Sequence, residues 1–430
     1  MHNEKDKIGV VVSTAMSITI VVGAGLLVLP GMSFALAGRH GYLPWMMVGA
    51  FMVPLLYIFA YFAATNPSAG GVVGYIRESL GPRLGSMAEM IVLGTFTLGI
   101  PAIALIGSGY LRYVMPELTL IEAGLSIVTL AFVAGIVGLR ISGAIQTGIA
   151  TIIVIGLSSI GIGFLTTQSP AAAVVEADTI ATNWSGVFRA IPVILFAYTG
   201  WEMTAFLAED MKNPKRTMPI SIWASFVVVV IMYVFIAWVV ASAATQEERW
   251  KIAPFVELAK GWLGSAGAQV VAMIAALLVV ANVIVAFLSA SRAIYAAGRE
   301  GLLSRKIGVL NGQKKPMIAM TLTWGVFTAV IVLSQSAGIG VDSLLQLAGQ
   351  NFFVLYLLAA YGYTRKHART AGHQLLGCIA ILSVVAMLFL FSLPGLLYCL
   401  GLAVIGIMMC PKEPLLMAAN DSRSPIAPVE

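Results

Sequence analysis

Long apolar stretches alternate with short polar ones along this chain, and the stretches have the length of membrane spans. A helix crossing a hydrocarbon layer of about 30 Å needs roughly 20 residues at a rise of about 1.5 Å each. Twelve runs of that kind are bounded by charges or turn residues, near residues 8–37, 43–64, 86–114, 119–139, 143–166, 185–208, 217–244, 267–297, 318–336, 342–364, 374–391 and 394–410. The pattern predicts an all-α fold, a polytopic membrane protein with twelve transmembrane helices.

Two of these runs carry their own interruptions. Residues 20–31 read IVVGAGLLVLPG, and residues 196–202 read FAYTGWE. Lipid offers no hydrogen bonds, so a spanning backbone should keep its N–H and C=O groups paired within the helix. Gly23 and Gly25, then Pro30 and Gly31, weaken that ladder where the hydrocarbon is deepest. Irregular backbone at that depth survives where it lines a cavity, and interrupted segments at corresponding places in two halves point to a secondary transporter's substrate site. With the first and sixth helices broken, each opens a unit of five spans, and an odd number of spans inserts the second unit upside down. The division this predicts is a five-plus-five inverted repeat: residues 1–166 with helices 1–5, residues 167–366 with helices 6–10, and residues 367–430 with helices 11 and 12 and a polar tail.

Composition agrees: 59% of the 430 residues are hydrophobic and 10% charged, with a mean hydropathy of +0.94. So few charges cannot cover the apolar surface of a soluble protein. The first apolar run is too long, and lacks the small-residue cleavage site, for a removable leader. Of the 25 Lys and Arg residues, Arg39, Arg112, Arg189, Arg249, Lys251 and Lys260 fall at one set of helix ends and all the others at the opposite set. The positive-inside rule then places both termini in the cytoplasm and the chain, as a multi-pass protein, in the cytoplasmic (inner) membrane. The net charge of +6 reports that topology, and no nucleic-acid partner is expected; the lipid bilayer is the partner. Cys378, Cys399 and Cys410 lack the paired spacing of a metal site or a disulfide framework, and no cofactor or metal is expected. The loop at residues 245–261 includes EERWKIAPFVELAK, whose Phe255, Leu258 and Ala259 against charged neighbours predict a short amphipathic helix. It is read as a helix packed at the membrane interface, with a lid over the outer mouth as the competing reading.

The motifs resemble those of the amino acid-polyamine-organocation superfamily of transporters. VVGAGLLVLPG is similar to its first-helix G-x-G signature, NPSAGGVVGYI to its P-x-x-G-G-x-x-x-Y loop, and FAYTGWE with AEDMKNPKRTMPISI to its sixth-helix core and K-N-P-x-R-x-x-P turn. GLRISGAIQT resembles the entry to its fifth helix and REGLLSR the segment after its eighth. The resemblance implies a leucine-transporter-like inverted repeat, alternating access and an amino acid held between the broken helices.

The chemistry of the two breaks suits that cargo. Freed N–H groups at a half-helix N-terminus can bind a carboxylate, and freed carbonyls can bind an ammonium. Gly23, Ala24, Gly25 and Leu26 are the candidates for the carboxylate, and the carbonyls of Phe196, Ala197 and Thr199 for the amino group. Arginine-handling relatives place an asparagine in helix 3 and a tryptophan in helix 8; the alignment puts Ile100 and about Ala286 there. With Ile103, Phe196 and Phe287 nearby, the pocket is apolar and cannot offset desolvation of a cationic side chain. A neutral, aliphatic or thioether amino acid is expected. Glu202, the one ionisable residue placed near the middle of a span, is a candidate proton carrier or an organiser of the broken helix. Proton-driven relatives carry a lysine in helix 5 where this chain has Ile153. Sodium-coupled relatives use helix-8 hydroxyls, for which Ser289 and Ser291 are weak candidates against the commoner back-bonding to their own helix.

The leading reading is a secondary active transporter of neutral hydrophobic L-amino acids by efflux or exchange, with a proton or sodium ion as coupling partner. Its alternatives are a proton-coupled uptake permease, an amine or polyamine antiporter, and a membrane-embedded nutrient sensor. An enzyme is not expected, because an intramembrane active site needs several converging polar groups and Glu202 alone lies deep.

Overall fold

The structure, a computed structural model, describes residues 9–23, 25–65, 71–138, 148, 151–167, 183–201, 211, 213–245, 247–313 and 315–411. Each of the twelve apolar runs contains helix. The first run is split into α1 (Val10–Val22) and α2 (Gly25–Ala37). Then come α3 (Leu43–Thr65), α4 (Gly71–Leu80), α5 (Pro82–Val114) and α6 (Leu120–Val137). The fifth run holds a π-helical turn, Ile152–Gly156, leading into α7 (Leu157–Thr167). The sixth run holds α8 (Trp184–Ile194), which tightens into a 3-10 segment, Leu195–Tyr198. There follow α9 (Pro214–Ala243), α10 (Glu248–Ile252), α11 (Pro254–Arg299), α12 (Met317–Ser336), α13 (Val341–Lys366), α14 (Ala371–Leu388) and α15 (Leu393–Met408). Eight of the described helices are long and apolar enough to cross a membrane. The protein is an all-α polytopic membrane protein.

Helix ends follow from their residues. Gly81 (φ 96°) followed by Pro82 starts α5, and Thr119 with Glu122 caps α6 in a reciprocal capping box. Asn213, the one described non-glycine residue with positive φ (48°), turns the chain before Pro214 opens α9. Asparagine tolerates that left-handed conformation better than most residues, which gives the asparagine of the K-N-P turn a backbone reason.

Helix α5 is the central post, packed against α4, α6, α11, α13 and α15, while α9 packs on α1, α2 and α3 and α8 on α2, α3 and α13. The described ion pairs between elements respect the sorting of basic residues in the sequence. Arg77 bridges Glu89 and Glu300 and Lys366 meets Glu78 at one end of the bundle, and Lys251 approaches Asp342 (3.7 Å) at the other. At the first of these ends His367 and His373 stack, with His367 bonded to Tyr61 (2.8 Å) and His373 to Tyr363.

The segment after α9 holds the expected short helix: residues 254–263 are helical and are set off from the rest of α11 by a non-helical Gly264 (φ 70°, ψ −170°), and Phe255, Val256, Leu258 and Ala259 are fully buried. Two glycines show how closely this strap is pressed on the bundle. A Cβ on Gly31 would fall 2.0 Å from the Trp250 carbonyl oxygen, and one on Gly163 would fall 2.2 Å from the Trp262 ring. The amphipathic pattern marked this helix, and its apolar face is buried on α2, α5 and α7.

Gly31→Ala should therefore destabilise the protein by about 1–3 kcal/mol, because backbone rather than a flexible side chain blocks the added methyl. Gly401→Ala, where nothing lies within 4 Å of the new Cβ, serves as control. Thermal unfolding in detergent reads the difference, with a lowered midpoint expected for the first variant and none for the second.

Candidate substrate-binding site

The first break opens at Gly23. Gly23 caps α1 with φ 31° and ψ −159°, a conformation that L side chains rarely adopt, and helix resumes at Gly25. Pro30 and Gly31, expected to extend the interruption, lie inside α2, which continues to Ala37. Proline within a helix removes one ladder bond, here to Leu26, yet the helix holds because its surroundings support it. The next carbonyl, that of Leu27, accepts from the Tyr110 hydroxyl at 2.5 Å. Gly31 has the separate task of admitting Trp250.

The second break is graded. The 3-10 segment ends at Thr199, which is extended (ψ 157°), and Gly200 follows with φ 122°. Thr199 folds back on Phe196, whose carbonyl accepts from its N–H at 3.3 Å and its Oγ1 at 2.8 Å. Trp201 anchors the far side by donating to Ser225 Oγ (3.2 Å).

The two breaks face each other. A Cβ on Gly25 would lie in van der Waals contact with Ala197, 3.7 Å from its Cβ and 3.8 Å from its Cα. Tyr233 of α9 joins them: its hydroxyl lies 3.2 Å from the Val21 carbonyl oxygen and 3.0 Å from that of Ala197. One proton is shared between the last turn of α1 and the 3-10 segment. Tyr198 donates to the Trp45 carbonyl (2.8 Å), and Trp45, Tyr198 and Tyr233 pack ring against ring at 4.9–6.2 Å. Thr199 supplies two donors to the Phe196 carbonyl and so fills it, whereas the Ala197 carbonyl has one, from Tyr233, and keeps a second lone pair for an ammonium.

Of the side chains proposed to line the site, Leu26, Ile100, Ile103 and Ala197 are buried and Phe196 is half-buried. The Phe196 ring lies over Gly99 (3.0 Å to a Cβ there), and its backbone N and Cβ lie beside Gly349. Phe287 is placed elsewhere: fully buried, it packs against Phe132 and Phe327 with ring centres 6.2 and 6.0 Å apart, between α6, α11 and α12. Ser289 and Ser291 donate to the Val285 and Phe287 carbonyls of their own helix (2.9 and 2.8 Å). Ile153 sits buried in the π-helical turn. Ala24 and Glu202 lie outside the described residues, as does most of the GLRISGAIQT stretch. Tyr233, which the sequence reading missed, left one signal: a lone hydroxyl within the apolar run VVVVIMYVFIAWVV must find an acceptor.

A family model described as amino acid permease matches residues 8–397. The chain belongs to the amino acid permease family. Over 351 residues it is 26% identical to an uncharacterized amino acid permease of Bacillus subtilis (strain 168), covering 80% of this chain and 81% of that relative. Over 225 residues it is 27% identical to an L-methionine/branched-chain amino acid exporter of Escherichia coli (strain K12), covering 51% of this chain and 52% of the exporter. Similarity to the cadaverine/lysine antiporter of the same organism is 26% over 224 residues, 50% of this chain and 49% of that one. Membership makes this permease a membrane transporter of amino acids, and the paired breaks are where its fold opens the backbone.

Replacing Tyr233 with Phe leaves two buried carbonyls sharing no donor, at a cost of about 1–3 kcal/mol. The expected outcome is a lower unfolding temperature in detergent together with weaker substrate binding, measured by scintillation proximity. Unchanged values of both would remove Tyr233 from the site.

Proposed function

We propose that this permease is a secondary active transporter of neutral hydrophobic L-amino acids, working by alternating access in efflux or exchange. The observation that carries the reading is the approach of the two breaks, Gly25 to Ala197 under the shared Tyr233 hydroxyl; Leu26, Ile100 and Ile103, all buried, and half-buried Phe196 are proposed as its apolar wall. The N–H groups that open α2 take the carboxylate, and the second lone pair of the Ala197 carbonyl takes the ammonium, the Phe196 carbonyl being filled by Thr199. An apolar wall accepts an aliphatic or thioether side chain and rejects a cationic one, whose burial unpaired is costly. Similarity over half its length to an exporter of methionine and branched-chain amino acids supports the same class. The buried, apolar Ile153 at the helix-5 position supports a mechanism without a lysine proton carrier.

The same proposal makes residues 1–166 and 167–366 two inverted five-span units and puts both termini, with Arg77, Glu300 and Lys366, on the cytoplasmic side of the inner membrane. Glu202 is proposed as proton carrier or as organiser of the second break, and a proton or sodium ion as coupling partner.

Counterflow in proteoliposomes tests the reading. L-Leucine and L-methionine should exchange at least about tenfold faster than L-lysine, a preference of about 1.4 kcal/mol. Preference for lysine or for a diamine would overturn it. In the same assay Gly25→Val should abolish exchange while the protein stays monodisperse, because the γ carbons would occupy the space held by Ala197.

A further inference from the structure

Between Gln269 and Ser289 the sequence VVAMIAALLVVANVIVAFL holds one polar side chain, Asn282. Its helix, α11, uses Val279, Val283 and Phe287 to pack on α5, α6 and α12: a Cβ on Gly107 would meet Val279 at 2.7 Å, and Phe287 meets Phe132 and Phe327. Asn282 stands off that face, one turn before Ala286, and is half-buried. It lies against the first break, its Nδ2 3.5 Å and its Oδ1 3.9 Å from the point where a Gly23 Cβ would sit. Among the described residues its carboxamide makes no hydrogen bond. An amide held in a membrane span without a partner costs free energy. That cost is recovered when a polar ligand enters beside it.

We propose that Asn282 is a substrate-binding residue that donates to the carboxylate of the transported amino acid, and that it makes the site select amino acids over their carboxylate-free analogues. This rests on the neutral amino-acid reading above. The two ends of the substrate are sorted by which element approaches which part of the break. The 3-10 segment comes in at Gly25 and Ala197 and presents carbonyls with Tyr233, which suits the ammonium. From the other direction α11 comes in at Gly23, beside the N-terminus of α2, with an amide N–H. Phe196 of the apolar wall packs on Gly99 and Gly349, while the contact of Asn282 is with Gly23. Asn282 therefore reads the end common to all amino acids and leaves side-chain choice to the wall.

The test measures binding of L-leucine, L-methionine, L-valine and L-leucinamide to the wild-type protein, Asn282→Leu and Asn282→Asp, each first shown monodisperse in detergent. Loss of a hydrogen bond to a charged group is expected to raise the Kd of all three amino acids about tenfold in Asn282→Leu, by the same factor for each side chain. In Asn282→Asp the like charge should raise those three further while L-leucinamide, which has no carboxylate, binds within about twofold of wild type. Losses that differ with the side chain, equal losses for leucine and leucinamide, or wild-type affinity in both variants would overturn the assignment. Failure of the wild-type protein to bind any neutral amino acid would instead overturn the reading on which it rests, and this assignment with it.

Discussion

One hydroxyl group holds the centre of this permease. Tyr233 stands between the Val21 and Ala197 carbonyls, at 3.2 and 3.0 Å, in a region where water cannot pair a freed backbone oxygen. A helix that stops inside a membrane leaves its last carbonyls without donors, and each one left unpaired costs more than an ordinary hydrogen bond contributes. By serving two breaks at once, Tyr233 makes each interruption depend on the other. The aromatic packing of Trp45, Tyr198 and Tyr233 and the bond from Tyr198 to the Trp45 carbonyl keep that hydroxyl in place.

The two pieces of the first span are tethered unequally. α2 is fixed by the Tyr110 bond to Leu27 and by the backbone contact of Gly31 with Trp250. α1 is held next to the break by Tyr233 at the Val21 carbonyl (3.2 Å) and nearer its start by longer polar contacts, Ser221 to the Val10 carbonyl and Ser13 to the Met211 sulfur, both at 3.5 Å. Between them sits Gly23, whose backbone admits conformations closed to other residues.

Much of this was legible in the sequence, for reasons that differ by residue. The twelve apolar runs, the break at Gly23 and the break near Gly200 were readable because span length and glycine backbone freedom are local properties. Pro30 and Gly31 were read as part of the break although α2 runs through them; what holds it, Tyr110 and Trp250, comes from distant parts of the chain. Phe287 was assigned to the pocket because an apolar run with little polar contrast does not fix the rotation of its helix, and it turns toward Phe132 and Phe327 instead. Asn282 and Tyr233 carried the opposite signal, single polar groups inside such runs, and both side chains meet the breaks.

Hydrogen–deuterium exchange followed by mass spectrometry tests the central claim most directly. The amides of residues 21–26 and 196–200 are compared with and without saturating L-leucine. The account predicts that ligand slows exchange at both breaks together, and that neither is protected in Gly25→Val. Protection confined to other segments, with both breaks unchanged by ligand, would contradict it.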